Sequence, residues 1–240
     1  MILLVGDNED SILYLRTRIE LSEEFDLPFS MHAYFGKLGS EEILIVSVGE
    51  GTPLVSMKMG YLLEKYAPYV VINIGAISSL QSYFHQGDLF IADRYYLHGV
   101  DFSNEGKTVY GQLPGCPSFF TSSAEMNDRA EAAAYRIGGR YVERGFLLSG
   151  EKDYADYEEF RGLIARHYNG SEKIAAYDLN SGGIALACQQ FNTVLLTIKV
   201  VGYEPLHKEQ MLSRKRKALE AMDSIGEIII AVLVQQQSSL

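Results

Sequence analysis

Apolar runs of strand length alternate along this chain with segments in which apolar residues recur every three or four positions. Such runs are typical of strands buried in a helix-flanked sheet, and the spaced pattern is typical of helices that lay one face on it. The predicted strands are 1–5, 27–37, 42–48, 70–75, 89–93, 145–149, 174–177 and 194–201, and the predicted helices carry 12–19, 55–66, 126–137, 157–164, 184–191 and the stretch from Lys208. This order predicts an α/β fold with three layers, α/β/α, around a mixed central sheet, in one domain over residues 1–240.

The stretch from Val70 to Asp93 is the most site-like part of the pattern. Its first strand has Asn73 as its only polar residue and runs into Gly75, and small residues follow. Glycine permits a sharp turn and a close approach of a ligand because it has no Cβ. In open α/β sheets, ligands bind at the carboxyl ends of strands. A binding site and a plain connection between two strands both fit this spacing.

Three other turns carry candidate polar groups. The acidic turn at residues 7–10 suits either a catalytic loop or the capped start of a helix, and capping is the stronger interpretation. The loop at residues 49–53 is a weak candidate for anion binding, since it lacks the third glycine of a dinucleotide fingerprint and the lysine of a P-loop. Ser122 and Glu125 have the spacing of a capping box.

Composition and charge exclude several classes of function. The formal net charge of -10 argues against a nucleic-acid partner, and we interpret the basic run at residues 214–217 as a solvated helix face. The five histidines and two cysteines have no metal-ligand spacing, so we expect neither a metal nor a cofactor. Cys116 and Cys188 are widely separated, no run reaches membrane-spanning length, and we expect no secretory leader. We therefore expect reduced thiols, a cytoplasmic location and no membrane association.

Three segments resemble a known family. The sequence Y-G-Q-L-P-G-C-P at residues 110–117, the stretch 71–93 and the stretch 175–198 are similar to bacterial methylthioadenosine/S-adenosylhomocysteine nucleosidases of the nucleoside phosphorylase superfamily. The resemblance covers almost the whole chain. It implies a purine nucleoside as the small-molecule ligand. It also implies a homodimer in which the 110–117 loop, with Tyr110, Pro114 and Pro117, completes the neighbouring subunit's pocket.

The family hydrolyses the bond between adenine and ribose. Adenine leaves readily only when an acid protonates it, and a carboxylate must activate the attacking water. By the resemblance, the water-activating glutamate falls on Ser11 and the adenine-protonating aspartate falls on Tyr203.

The binding positions of the family are carried over in the same way. The ribose-binding glutamate falls on Asn180, and the methionine before it falls on Leu179. The remaining binding positions fall on Gly75, Ala76 and Ile77 for the glycine-rich turn, on Asp153 beside Tyr154 for the adenine-stacking aromatic, and on Lys199 for an arginine.

The replacement of the family's catalytic carboxyl groups by Ser11 and Tyr203 leaves three hypotheses. Neither an unassisted serine nor a tyrosine, with its reference pKa near ~10, replaces a carboxyl group well. The first hypothesis is a nucleoside-binding protein with weak or no hydrolysis. The second is an active, divergent nucleosidase or phosphorylase that uses Glu204, beside Tyr203, as its acid. The third is a dimerisation scaffold in which side chains fill the pocket.

Overall fold

The computed structural model of the 240-residue chain describes residues 1–152, 157–168, 173–204 and 211–234. The strands are β1 (Ile2–Gly6), β2 (Glu20–Leu27), β3 (Met31–Leu38), β4 (Glu41–Ser47), β5 (Val70–Ser79), β6 (Leu89–Leu97), β7 (Phe120–Thr121), β8 (Val142–Ser149), β9 (Ile174–Asp178) and β10 (Val194–Tyr203). The helices are α1 (Glu9–Arg16), α2 (Thr52–Tyr66), α3 (Ala124–Ile137), α4 (Tyr157–His167), α5 (Ser181–Phe191) and α6 (Met211–Val234). The predicted start of the last helix, at Lys208, lies outside the described residues.

The strands form one mixed sheet. β1 lies between β4 and β5 and is parallel to both. β10 is parallel to β5 on its other side, while β2, β3 and β4 form an antiparallel meander at one edge. β10 continues through β6, β8 and β9, and the end of β9 pairs with the end of β5. Five strands therefore close into a ring, and β1 ends beside Ile74, in the middle of β5.

Helices cover both faces of this sheet. Side chains alternate along β1, so that Ile2 and Leu4 pack in one apolar cluster with residues of α1, α3 and α6. Leu3 and Val5 pack in a second cluster, with residues of α2 and α5. A third, smaller cluster joins α4 to the far side of the ring. The predicted fold class, a three-layer α/β domain with a mixed sheet, is confirmed.

Several predicted boundaries were wrong. The predicted strand 27–37 is divided by a turn in which Phe29 and Ser30 have positive φ angles, and it pairs with an unpredicted strand, β2. β5 does not end at Gly75 but continues to Ser79, because β10 and β9 pair with its second half.

Two helix starts also differ from prediction. α3 is capped by Ser123, whose hydroxyl accepts a hydrogen bond from Met126 N at 3.3 Å, whereas Ser122 donates to the carbonyl of Ala92. α5 begins at Ser181 rather than Ile184, since Asp178 bonds its first turn.

Candidate functional site

The candidate site lies where β1 ends beside the middle of β5, which pairs there with β10. β1 ends at Gly6 and leads into the N-cap of α1, Asn8, whose side chain accepts a hydrogen bond from Ser11 N at 3.0 Å. Asp7, between the strand and the cap, is buried. Its side chain contacts the middle of the neighbouring strand β5.

Asp7 joins two of the predicted site positions. Its Oδ2 accepts a hydrogen bond from Ala76 N at 2.9 Å, and its Oδ1 accepts one from the hydroxyl of Ser11. Gly75 makes this approach possible, because a Cβ at that residue would lie 2.5 Å from Asp7 Oδ2. The turn at the end of β1 therefore places a carboxylate beside Ser11, Gly75 and Ala76.

Lys199 links the other side of the site. It is fully buried on β10, and its ammonium group donates to the carbonyl of Ile74 at 3.2 Å and to Asn180 Oδ1 at 3.1 Å. Asp178 Oδ2 lies 3.6 Å from the same nitrogen. A buried charge without a partner is strongly unfavourable, so these contacts fix the lysine within the site.

Asp178 is held by further hydrogen bonds at the end of β9. Its Oδ1 accepts from the hydroxyl of Ser149 at 2.7 Å and from Ser181 N at 3.1 Å. Ser181 also accepts a hydrogen bond from Asn73 Nδ2 at 2.8 Å, while the buried Asn73 Oδ1 has no partner in the described part of the chain. The polar network thus continues from the site into the core.

The loop between β4 and α2 forms a further wall of the site. Asn180 Nδ2 donates to the carbonyl of Gly49 at 3.2 Å, and Gly51 N donates to the carbonyl of Leu179 at 2.8 Å. Glu50 lies between these two anchored glycines and stays open to solvent on one side. The protein still desolvates its carboxylate, and this burial raises the pKa of Glu50; the negative charges of Asp7 and Asp178 raise it further, and Lys199 opposes them.

Tyr203 and Glu204 lie at the end of β10, beyond a register shift after Val201. Glu204 Oε1 accepts a hydrogen bond from Gln86 N at 2.6 Å, and Oε2 lies 3.4 Å from His85 Nδ1. The Glu204 side chain is 17% exposed. Its carboxylate therefore holds the loop between β5 and β6.

The predicted site positions are thus only partly brought together. Ser11, Gly75, Ala76, Asn180 and Lys199 are connected through Asp7, Asp178 or the backbone of β5. Ile77 is buried in the second apolar cluster, and Leu179 packs partly against the third. Asp153 and Tyr154 lie outside the described residues.

The predicted neighbour-subunit loop is held against its own chain. The ring of Tyr110 stacks on His167 at a centroid distance of 4.3 Å. Gln112 Nε2 donates to the carbonyl of Cys116 at 2.8 Å, while Pro114 and Pro117 are exposed. The loop is therefore held by these contacts, and its two prolines face solvent.

Sequence reasoning missed three acidic groups of the site. The sequence favours helix capping for the acidic turn at residues 7–10, although Asn8 is the cap. Glu50 belongs to a weak glycine motif and Asp178 to a polar turn. Asp7 directly follows β1, Asp178 ends β9 and Glu50 lies three residues after β4, and this position near the end of a strand was the available signal.

The comparison with family models decides the family. The model described as "Phosphorylase superfamily" matches residues 2–233. The chain belongs to the phosphorylase superfamily.

Several solved structures have the same fold as this chain. The 5'-methylthioadenosine/S-adenosylhomocysteine nucleosidase of Neisseria meningitidis is 23% identical, with a TM-score of 0.85 over 96% of this chain and 98% of that one. A putative methylthioadenosine nucleosidase of Weissella paramesenteroides is 17% identical, with a TM-score of 0.86 over 98% of each chain. The futalosine hydrolase of Helicobacter pylori is 17% identical, with a TM-score of 0.84 over 98% of this chain and 97% of that one. At these identities the likeness establishes the fold.

None of the helices in ranges 1–152, 157–168, 173–204 and 211–234 combines the length and apolar character needed to cross a membrane. The same ranges contain no group of three or more His, Cys, Asp or Glu residues placed to hold a metal ion.

Proposed function

We propose that this protein binds a purine nucleoside or a related small ligand at the candidate site and hydrolyses its N-glycosidic bond weakly or not at all. Solved relatives support the class of ligand: the Neisseria meningitidis nucleosidase is in complex with methylthio-immucillin-A, and the Colwellia psychrerythraea nucleosidase is in complex with adenine. The buried, hydrogen-bonded groups around Lys199 and Asp7 support a site kept for a polar ligand.

The observation that carries the weak-hydrolysis proposal is that residue 11 is a serine and not a carboxylate. Ser11 has no carboxyl group, its hydroxyl is donated to Asp7, and the other oxygen of Asp7 already accepts a hydrogen bond from Ala76 N. Asn180 is neutral, and its amide is used by Gly49 and Lys199. Glycosidic hydrolysis needs an acid for the leaving base and a carboxylate for the water, and each such group typically contributes about 10²–10⁴-fold.

A specific observation favours a second candidate, an active and divergent nucleosidase or phosphorylase. Glu204 is a mostly buried carboxylate next to Tyr203, so it is the acid closest in sequence to the altered position. Against it, the carboxylate already accepts a hydrogen bond from Gln86 N. In the third hypothesis, a scaffold with a filled pocket, no nucleoside binds.

Adenine release and calorimetric binding separate these functions. We expect methylthioadenosine or S-adenosylhomocysteine to bind with little or no release of adenine at high protein concentration. Release that disappears in Glu204→Gln would establish the second candidate instead. Neither binding nor release would support the scaffold. Release that persists unchanged in Glu204→Gln would refute both the weak-hydrolysis proposal and the role of Glu204.

We also propose that the protein is a cytoplasmic homodimer. Cys116 and Cys188 are free thiols, which agrees with a reducing compartment.

A further inference from the structure

Glu50 is held in the site by its neighbours in the chain. Gly49 and Gly51 are both hydrogen-bonded to the turn that joins β9 to α5, through Asn180 and Leu179. The backbone on both sides of Glu50 is therefore fixed, and the residue projects from a loop that forms part of the site wall.

The other site carboxylates are already occupied. Asp7 accepts hydrogen bonds from Ala76 N and Ser11, and Asp178 accepts from Ser149 and Ser181. In contrast, the carboxylate of Glu50 makes no hydrogen bond or ion pair with the residues that the structure describes.

Glu50 is close enough to Asp7, Asp178 and Lys199 for their charges to act on its carboxyl group. Burial raises the pKa of its carboxyl group, and Asp7 and Asp178 raise it further, while Lys199 lowers it. Charges act strongly only at short range in salt solution. Glu50 therefore shares the electrostatic environment of the site rather than that of the open surface.

The chemistry of a carboxylate limits what such a group can bind. An ionised carboxylate is an acceptor only, with two oxygens that can each take a hydrogen bond. Two neighbouring hydroxyl groups on one sugar ring offer two donors at matching separation. A nucleoside-type ligand carries such a pair.

We propose that Glu50 is a ligand-binding residue whose carboxylate accepts hydrogen bonds from the vicinal hydroxyl groups of the ligand's sugar. This inference rests on the proposed function, because it takes the ligand to be a riboside. It gives the site a free carboxylate for the sugar at a residue to which the family resemblance assigns no role, on the loop between β4 and α2.

The test compares ribose and deoxyribose ligands in the same variants. Binding of methylthioadenosine and of its 2'-deoxy and 3'-deoxy analogues is measured by calorimetry for the wild type and for Glu50→Gln. Hydrogen bonds to a charged group contribute about 1.5–3 kcal/mol, so we expect Glu50→Gln to bind methylthioadenosine about tenfold to a hundredfold more weakly. The deoxy analogues should lose much less, since they already lack one of the two contacts.

The matched control is Glu42→Gln. Glu42 is an exposed glutamate near the start of β4, at the end of the strand that lies away from the site. Its substitution should leave the affinities for all three ligands unchanged. Equal losses for the ribose and deoxyribose ligands in Glu50→Gln, or no loss at all, would overturn the role of Glu50 while leaving the proposed function intact. Failure of the wild type to bind any of the three ligands would refute the proposed function and this inference together.

Discussion

Gly75 determines how closely the turn after β1 can approach β5. Its φ angle is +142°, which side-chain-bearing residues rarely adopt. The space where its Cβ would be is occupied by the carboxylate of Asp7, which bonds the next amide, Ala76 N. The glycine and the aspartate are therefore one structural unit, and neither can be exchanged without affecting the other.

We expect Gly75→Ala to lower the free energy of unfolding by at least about 1–3 kcal/mol, because the backbone is strained and Asp7 is displaced. Thermal unfolding measures this. The control is Gly60→Ala in the middle of α2, where an added Cβ meets no atom within 4 Å. Alanine there should stabilise the protein by roughly 0.5–1 kcal/mol, since it favours the helix. A Gly75→Ala protein as stable as the wild type would contradict the Gly75–Asp7 contact.

Single residues also mark the limit of prediction from sequence. Gly75, Asn180 and Lys199 were predicted as site residues, because two of them follow strand patterns and all three match positions of a known family. Glu50 and the role of Asp7 were not predicted. Both depend on contacts between loops that are distant in sequence, and no local pattern encodes which loop lies opposite.

At the scale of elements, α1 and α6 pack closely against each other at Gly226. A Cβ at Gly226 in α6 would lie 2.1 Å from the ring of Tyr14 in α1. Because α6 also packs on β10 and α3 through the first apolar cluster, the helix cannot easily move away. Glycine at residue 226 therefore accommodates the aromatic ring.

We expect Gly226→Ala to destabilise the protein by about 1–3 kcal/mol, the usual cost of overpacking. In a Tyr14→Ala background the same change should cost little or even stabilise, because alanine favours a helix by up to about 1 kcal/mol over glycine. Denaturant unfolding of the four proteins gives the coupling energy. Additive effects of the two substitutions would show that the ring and the helix do not compete for this space.

The elements that were predicted correctly have strong apolar patterns, and the errors have physical causes. β1, the centre of β4 and the start of β5 are buried, so their runs are apolar apart from Asn73. β2 is an edge strand whose residues are mostly exposed and half of which are acidic, so it has no apolar face to recognise. β5 was predicted to end at Gly75, because its extension depends on pairing with β9 and β10 rather than on its own residues.

At the scale of the whole molecule, the closed ring of β5, β10, β6, β8 and β9 was not predictable. It depends on the short pairing of Ser78 and Ser79 with Tyr177 and Ala176, a contact between residues about a hundred positions apart. The layered α/β class followed from the alternation of elements, whereas closure depends on the curvature of the assembled sheet.

The assembly of two chains remains a proposal, and the segment before and within the 110–117 loop supplies its surface. Phe102 is 53% exposed and Val109 is 54% exposed, close in sequence to the exposed Pro114 and Pro117. The loop is held in place, since Gly111 N donates to the carbonyl of Val100 at 2.8 Å. An ordered surface of this apolar kind is suited to contact with a second subunit.

We therefore expect a dimer at micromolar concentration in sedimentation velocity, and a monomer for the double variant Phe102→Asp/Val109→Asp, because burying two carboxylates in an apolar interface is unfavourable. Tyr135→Asp is the control. Tyr135 is 67% exposed on α3, outside the loop, so this variant should remain dimeric. A monomeric wild type would refute the neighbour-subunit role of Tyr110, Pro114 and Pro117, and a double variant that stays dimeric would place the interface on another surface of the molecule.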